Sequence, residues 1–207
     1  GDPILRVKPL VDNFEFGIQL LSEKSLINIS TDGYLKMHAM VEQMGRQIVR
    51  QERPQDQLIL WDPREVCRVL AYKSGTEKIQ CLTLHICEMS RELAISCNNI
   101  GPMYNLKILK LYKHFDDKES TLRLVSEDHS YLPNLELKLL HWDAYPLTVL
   151  PFDLHVECLV EVNLRYSNLE SLWDGTPDLR NLRKLDRDRL YESGGIVHGR
   201  LHEAATV

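Results

Sequence analysis

The sequence predicts a mixed chain in two parts: a small α+β unit of helices and a hairpin, then an α/β array of short repeating strands. Three observations carry this. Residues 14–50 pass from helical spacing to strand alternation and back around an Asp-Gly pair. Residues 50–63 are polar and then apolar, punctuated by Pro54 and Pro63. Beyond them a Leu-x-x-Leu-x-Leu frame recurs. With 43% hydrophobic and 27% charged residues in 207, the chain has an ordinary globular composition and enough apolar material for a core.

In the first part, residues 4–12 are apolar with a break at Pro9. Asn13 is a suitable N-cap for a helix with apolar residues at Phe14, Ile18, Leu20, Leu21 and Leu26. Residues 26–37 then alternate around Thr31-Asp32-Gly33, a hairpin signal because Asp-Gly accepts the positive φ angles of a tight turn. A second helix follows His38. Its apolar Met40, Val41, Met44, Ile48 and Val49 have the spacing of a core-facing stripe. Helix, hairpin and helix in this order describe a winged helix over residues 1–52.

Residues 53–78 are expected to be an ordered helical connector. Asp62 is placed to cap a helix with Pro63 at its first position, closing near Ser74-Gly75. Residues 80–86 alternate like a strand, and residues 91–104 read as mixed helix and loop. The frame then gives Leu106-x-x-Leu109-x-Leu111, Leu137-x-x-Leu140-x-Trp142, Leu159-x-x-Val162-x-Leu164 and Leu182-x-x-Leu185. Its steps are 31, 22 and 23 residues. The last two lie within the period of leucine-rich repeats, and the first implies an insertion around His114–Tyr131. Leu147, Leu150, Leu169 and Leu172 supply a second apolar ridge. A short leucine-rich-repeat solenoid is therefore predicted over residues 79–186, each unit needing its neighbours to bury its face. Residues 187–207 lose the frame and read as a divergent or disordered tail.

Charge and composition exclude several classes. A net charge of −5 argues against general affinity for nucleic acid or anionic membrane. No apolar run reaches the roughly 18 residues that would span a bilayer. Five cysteines without CxxC spacing fit reduced thiols of a cytosolic or nuclear compartment, and no zinc site is expected. The chain opens Gly-Asp-Pro-Ile-Leu-Arg, with neither an initiator Met nor a signal-peptide core, as expected of a piece of a longer protein.

Several motifs together resemble one family. Lys36-Met37-His38, followed by Met44-Gly45-Arg46-x-Ile48-Val49-Arg50, is similar to the segment closing the nucleotide-binding apparatus (NB-ARC) of plant intracellular immune receptors. Leu60-Trp61-Asp62-Pro63 with Val69-Leu70 is similar to the connector after it. Leu140-x-Trp142-Asp143-x-Tyr145-Pro146-Leu147-x-x-Leu150-Pro151 is similar to the early repeats of the Toll/interleukin-receptor (TIR) subclass, as are Leu159-Val-Glu-x-Asn-Leu164 and Leu169-Glu-x-Leu172-Trp173. The order is kept over about residues 14–186.

The resemblance implies the end of NB-ARC and the first repeats of a TIR, nucleotide-binding, leucine-rich-repeat disease-resistance protein. In that family an ADP/ATP switch is coupled to repeats that sense a pathogen effector or a guarded host protein. The TIR domain, with its NAD hydrolase activity, and the phosphate-binding loop would precede this stretch. No GxxxxGK[ST] occurs here, so no enzyme activity and no bound nucleotide are expected of the chain alone. The competing reading is a stand-alone adaptor or decoy that binds proteins without switching.

By resemblance, His38 reaches the ADP phosphates in an intact receptor that also makes internal contacts with its nucleotide-binding domain. A histidine where a helix starts suits an anion, because the helix dipole favours negative charge there. The family's next residue is Asp, and here it is Ala39, which accepts no hydrogen bond. Trp142 and Tyr145 are either core residues of the first repeats or, with Trp173, partner-binding residues on the concave face. His198-x-x-x-His202 has metal-ligand spacing but supplies only two ligands. Asp116-Asp117-Lys118-Glu119 reads as a solvated loop.

Overall fold

A computed structural model describes residues 5–6, 15–31, 34–53, 56–88, 93–95, 97–113, 122–124, 135–145, 148, 150, 155–167, 169–170, 172 and 178–186. Chain contacts divide it into two compact units, residues 1–57 and 58–207.

The first unit has the predicted helix–hairpin–helix order. Helix α1 (Glu15–Glu23) ends where Ser25 takes a positive φ of 56° and Leu26 N–H reaches back to the Leu21 carbonyl at 2.9 Å. Strands β2 (Ile27–Ile29) and β3 (Tyr34–Met37) pair antiparallel, with Ile27 opposite Met37 and Ile29 opposite Leu35. β1 (Leu5–Arg6) adds to the other edge of β3. Helix α2 runs Ala39–Gln51. The Asn13 cap and the Asp32-Gly33 turn lie outside the described residues.

The apolar stripe of α2 does not face a core. Met40, Met44 and Ile48 are 65%, 61% and 61% exposed, and only Val41 and Val49 on the adjacent face are half-buried. The helical period is right; the burial expected from it is not. Among the described residues Ile27 is the only fully buried hydrophobic of this unit, so its described part has too little apolar cover for both faces of the helix.

The second unit is built on a six-stranded parallel sheet in the order β11-β10-β9-β7-β5-β4. The strands are β4 (Ile59–Leu60), β5 (Cys81–His85), β7 (Ile108–Tyr112), β9 (Leu139–Trp142), β10 (Glu161–Asn163) and β11 (Lys184–Asp186). The leucine frame is its register. Leu60, Leu82, Leu109, Leu140, Val162 and Leu185 stand opposite one another across all six strands. Leu84, Leu111 and Trp142 form a second inward row over three strands. Alternating residues are buried, as a sheet with one covered face requires.

The backbone repeats with the side chains. The N–H groups of Gln80, Lys107, Lys138, Val160 and Arg183 each donate to the preceding unit, at 2.8–2.9 Å, and the acceptors from Gln80 onward are carbonyls of this same set. The Asn105 and Asn181 amides repeat another device, donating to the carbonyls of Glu77 and Glu157, one unit earlier, at 3.0 and 2.7 Å.

The array begins earlier than the leucine spacing indicates. The connector contributes β4 to the sheet, and helix α3 (Pro63–Tyr72) turns Val66, Val69 and Leu70 into the same core. As predicted, Asp62 caps α3, accepting from the N–H groups of Arg64 and Glu65 at 3.1 and 3.4 Å with Pro63 at the start. Its other end closes on Lys73 at φ 52°, and the Asn99 amide donates to the Leu70 carbonyl at 2.6 Å. Residues 93–95 (β6) pair parallel with 122–124 (β8) in a separate two-stranded sheet, and Cys97–Ile100 is a short helix α4.

Candidate functional site

Two places on the chain bring chemistry together. The first is the start of α2. β3 delivers the chain to His38 in an extended conformation, φ −65° and ψ 137°, and the helix begins at the next residue. His38 is itself the N-cap: its Nδ1 accepts from the Met40 N–H at 3.2 Å. An acceptor at Nδ1 places the ring proton of the neutral form on Nε2, so the exposed imidazole offers a donor beside the positive end of the helix. One donor of this kind fits a phosphate oxygen. Ala39 is the first helical residue and is exposed. A carboxylate at 39 would therefore be a first-turn charge beside the histidine cap.

The second place is the outward face of the parallel sheet. Asp143, just after β9, is fully buried and organises three successive strands. Its N–H donates to the Leu111 carbonyl at 2.8 Å and its Oδ2 accepts from the Lys113 N–H at 3.0 Å, so one residue ties the end of β7 in both directions. Oδ1 lies 2.9 Å from His141 Nε2, and Arg165 donates Nε to Oδ1 at 3.4 Å and Nη2 to Oδ2 at 3.2 Å. Burial pushes the Asp143 carboxyl up. The His141 hydrogen bond and charge, the Lys113 amide and the Arg165 guanidinium outweigh it and hold the group below the usual carboxylate range.

Rings and cations fill the rest of this face. His85 and Tyr112, opposite in register, stack with centroids 5.0 Å apart. Lys110 Nζ sits 4.6 Å from the centre of the Tyr112 ring. Lys113 Nζ and the Arg165 guanidinium both lie over Tyr166, at 4.7 and 5.6 Å. Tyr166 has a positive φ of 62°, and Ala144, four residues past Leu140 as Tyr166 is past Val162, has φ 55°.

Trp142 and Tyr145 are not on this face. They are 1% and 2% exposed and meet edge to face at 5.2 Å and 85°. Their place is the core, because the frame position of Trp142 is an inward one, and neither ring is open to a partner. Trp173, His198, His202 and Asp116–Glu119 lie outside the described residues. Sequence reasoning gave no role to Asp143, Lys113, His141, Arg165 or Tyr166. Of these only His141 stands at an x position of the frame; Lys113, Asp143, Arg165 and Tyr166 follow its last residue, where the leucine spacing carries no signal.

Other chemistry is sparse. No group of three His, Cys, Asp or Glu residues could hold a metal ion among the described residues. Cys67, Cys81, Cys87 and Cys158 form no disulfide, and burial pushes the thiols of Cys67, Cys81 and Cys158 up, away from nucleophilic character. No described helix is long and apolar enough to cross a membrane.

Residues 10–53 match the family model for the winged-helix domain of Roq1-like disease resistance proteins, and residues 158–176 match a leucine-rich-repeat model. The chain is 41% identical over 177 residues to the putative disease resistance protein At4g11170 of Arabidopsis thaliana, covering 83% of this chain and 16% of that protein. It is 37% identical over 179 residues to disease resistance protein RML1A of the same plant (86% and 18%), and 36% identical over 193 residues to disease resistance protein RPS6 (90% and 17%). It thus spans about a sixth of the length of the curated relatives it matches. The winged-helix match precedes the leucine-rich-repeat match along this chain, and with these relatives the chain belongs to the TIR-type nucleotide-binding, leucine-rich-repeat disease-resistance proteins of plants.

Proposed function

We propose that this chain is the part of an intracellular immune receptor that couples an ADP/ATP switch to recognition of a pathogen effector or a guarded host protein. The observation that carries the switch half is the His38 ring, capped through Nδ1 and leaving Nε2–H as the donor at a helix start. In the intact receptor His38 would hold a nucleotide phosphate. The nucleotide, when bound, supplies charge that distinguishes the resting from the active state. His38 contributes orientation and one hydrogen bond, so a bound state biases the position of α2. The recognition half rests on the parallel sheet, read as the opening turns of a leucine-rich solenoid whose outward face meets proteins. No catalytic step is assigned to these residues.

Ala39 sets the sensitivity of this latch. With Ala39 where the family has Asp, and Glu42 as the remaining first-turn carboxylate, the parent receptor holds ADP less tightly, or is autoactive or degenerate. The test is the ADP released from purified intact receptor with His38→Ala and with Ala39→Asp. His38→Ala is expected to lower retention several-fold and Ala39→Asp to raise it. Equal retention in all three proteins would leave the adaptor reading, which the self-contained sheet favours because it needs nothing from His38. The 207-residue chain alone is expected to purify without ADP, and finding ADP on it would show a more complete site than His38 provides.

A further inference from the structure

We propose that Arg46 is a positioning residue for His38: by holding Glu42 it keeps the ring's Nε2–H open for a phosphate, and without it Glu42 takes that donor for itself. This role rests on the nucleotide reading of His38 above and adds its regulation, while the contact itself belongs to the chain alone. His38, Glu42, Arg46 and Arg50 follow one another at intervals of four, so they form one column on the surface of α2. Within the column Glu42 stands between two donors. It is turned to one of them: its Oε1 accepts from Arg46 Nε at 3.0 Å and from Nη2 at 2.6 Å. His38, on the other side, makes only the cap through Nδ1 among the described residues, and its Nε2 is unengaged.

Four residues advance a helix by about 6 Å and turn it by about 40°, and side chains so placed are neighbours. A carboxylate released from Arg46 therefore has an N–H donor on the preceding turn, at the end of the helix that favours negative charge. Taking it would cost His38 its role. The carboxylate would fill the place of a phosphate oxygen and set a negative charge where an anion must enter. Arg46 prevents both, because two of its nitrogens fix one carboxylate oxygen and the guanidinium offsets the charge. Glu before Arg along the helix is also the favourable order for such a pair. The pair is open to solvent, with its side chains 49% and 33% exposed, so it is held weakly enough to be undone. Residue 39 lies about 100° round the helix from His38, off this column, and a carboxylate there remains a first-turn charge.

The test has two parts, each with Arg46→Gln, Arg46→Lys and the double variant Arg46→Gln with Glu42→Gln. In the purified 207-residue chain, without nucleotide, the His38 imidazole resonances are read by NMR and helix content by circular dichroism. Arg46→Gln is expected to shift the resonances. Arg46→Lys and the double variant are expected to leave them where they lie in the unaltered chain. A merely structural pair predicts otherwise, since the double variant lacks the pair as fully as the single one does. Resonances that stay in place in Arg46→Gln, or that move there and are not returned by Glu42→Gln, would overturn the proposal. In the intact receptor, ADP retention should fall about two- to threefold in Arg46→Gln, the modest effect of an exposed charge, and recover in the double variant. If His38→Ala lowers retention and Arg46→Gln does not, the positioning role falls and the nucleotide reading stands. If neither lowers it, the nucleotide reading falls and takes the ADP consequence with it, and the resonances decide the contact between Glu42 and His38.

Discussion

At Asp143 a single carboxylate does what a whole turn of backbone would otherwise do. It is held by two side chains and an amide from three strands, and its own N–H returns to the first of them. Removing it with Asp143→Ala would leave Arg165, His141 and the Lys113 amide without their acceptor, and should cost about 2–3 kcal/mol in urea unfolding. The pH dependence follows from the direction of its shift. A carboxyl titrating lower in the folded chain than in the unfolded one contributes stability that is fully present above roughly pH 4 and is lost as pH falls below it. Asp143→Asn should flatten that acid limb of the stability profile. An unchanged limb would show that other carboxylates dominate it.

At the scale of elements, the second unit was largely legible. Leu109, Leu140, Val162 and Leu185, picked by spacing alone, are the residues that stand in register. Asp62 and Pro63 started the helix they signalled. Spacing failed where burial depends on a partner. Met40, Met44 and Ile48 have a helical period, and a period says which residues share a face but not what covers it. Ile79-x-x-Leu82-x-Leu84 was read as a lone strand although it fits the frame, and β4 is too short for any periodicity to show. Gly75 was read only as a helix stop. A Cβ there would lie 2.6 Å from Cγ of buried Met103, so Gly75→Ala must move a packed side chain. It should cost about 1–3 kcal/mol by thermal or urea unfolding, and Met103→Ala in the same background should recover part of the strain.

The whole molecule is uneven in how firmly it is held. Buried leucines run almost continuously from Leu60 to Leu169, each worth about 1.5–3 kcal/mol when fully buried, while the first unit buries Ile27 alone among its described hydrophobics. Native-state hydrogen exchange should therefore protect β5, β7, β9 and β10 by orders of magnitude more than α1 and α2. Equal protection in both units would mean that the α2 face is covered in solution. Uneven stability suits the proposed switch, whose moving part would come from the weakly held end of the structure.

The ladder through Gln80, Lys107, Lys138, Val160 and Arg183 has one more consequence. It joins fixed points of each unit and ignores the length of chain between them, which is 31 residues from Leu106 to Leu137 but 22 from there to Leu159. Closing a longer excursion costs only about 0.6 kcal/mol per doubling. Such a scaffold can lengthen, shorten or replace its excursions without shifting a single leucine, so a lineage pursued by changing pathogens can rewrite its surface one segment at a time on an unaltered frame.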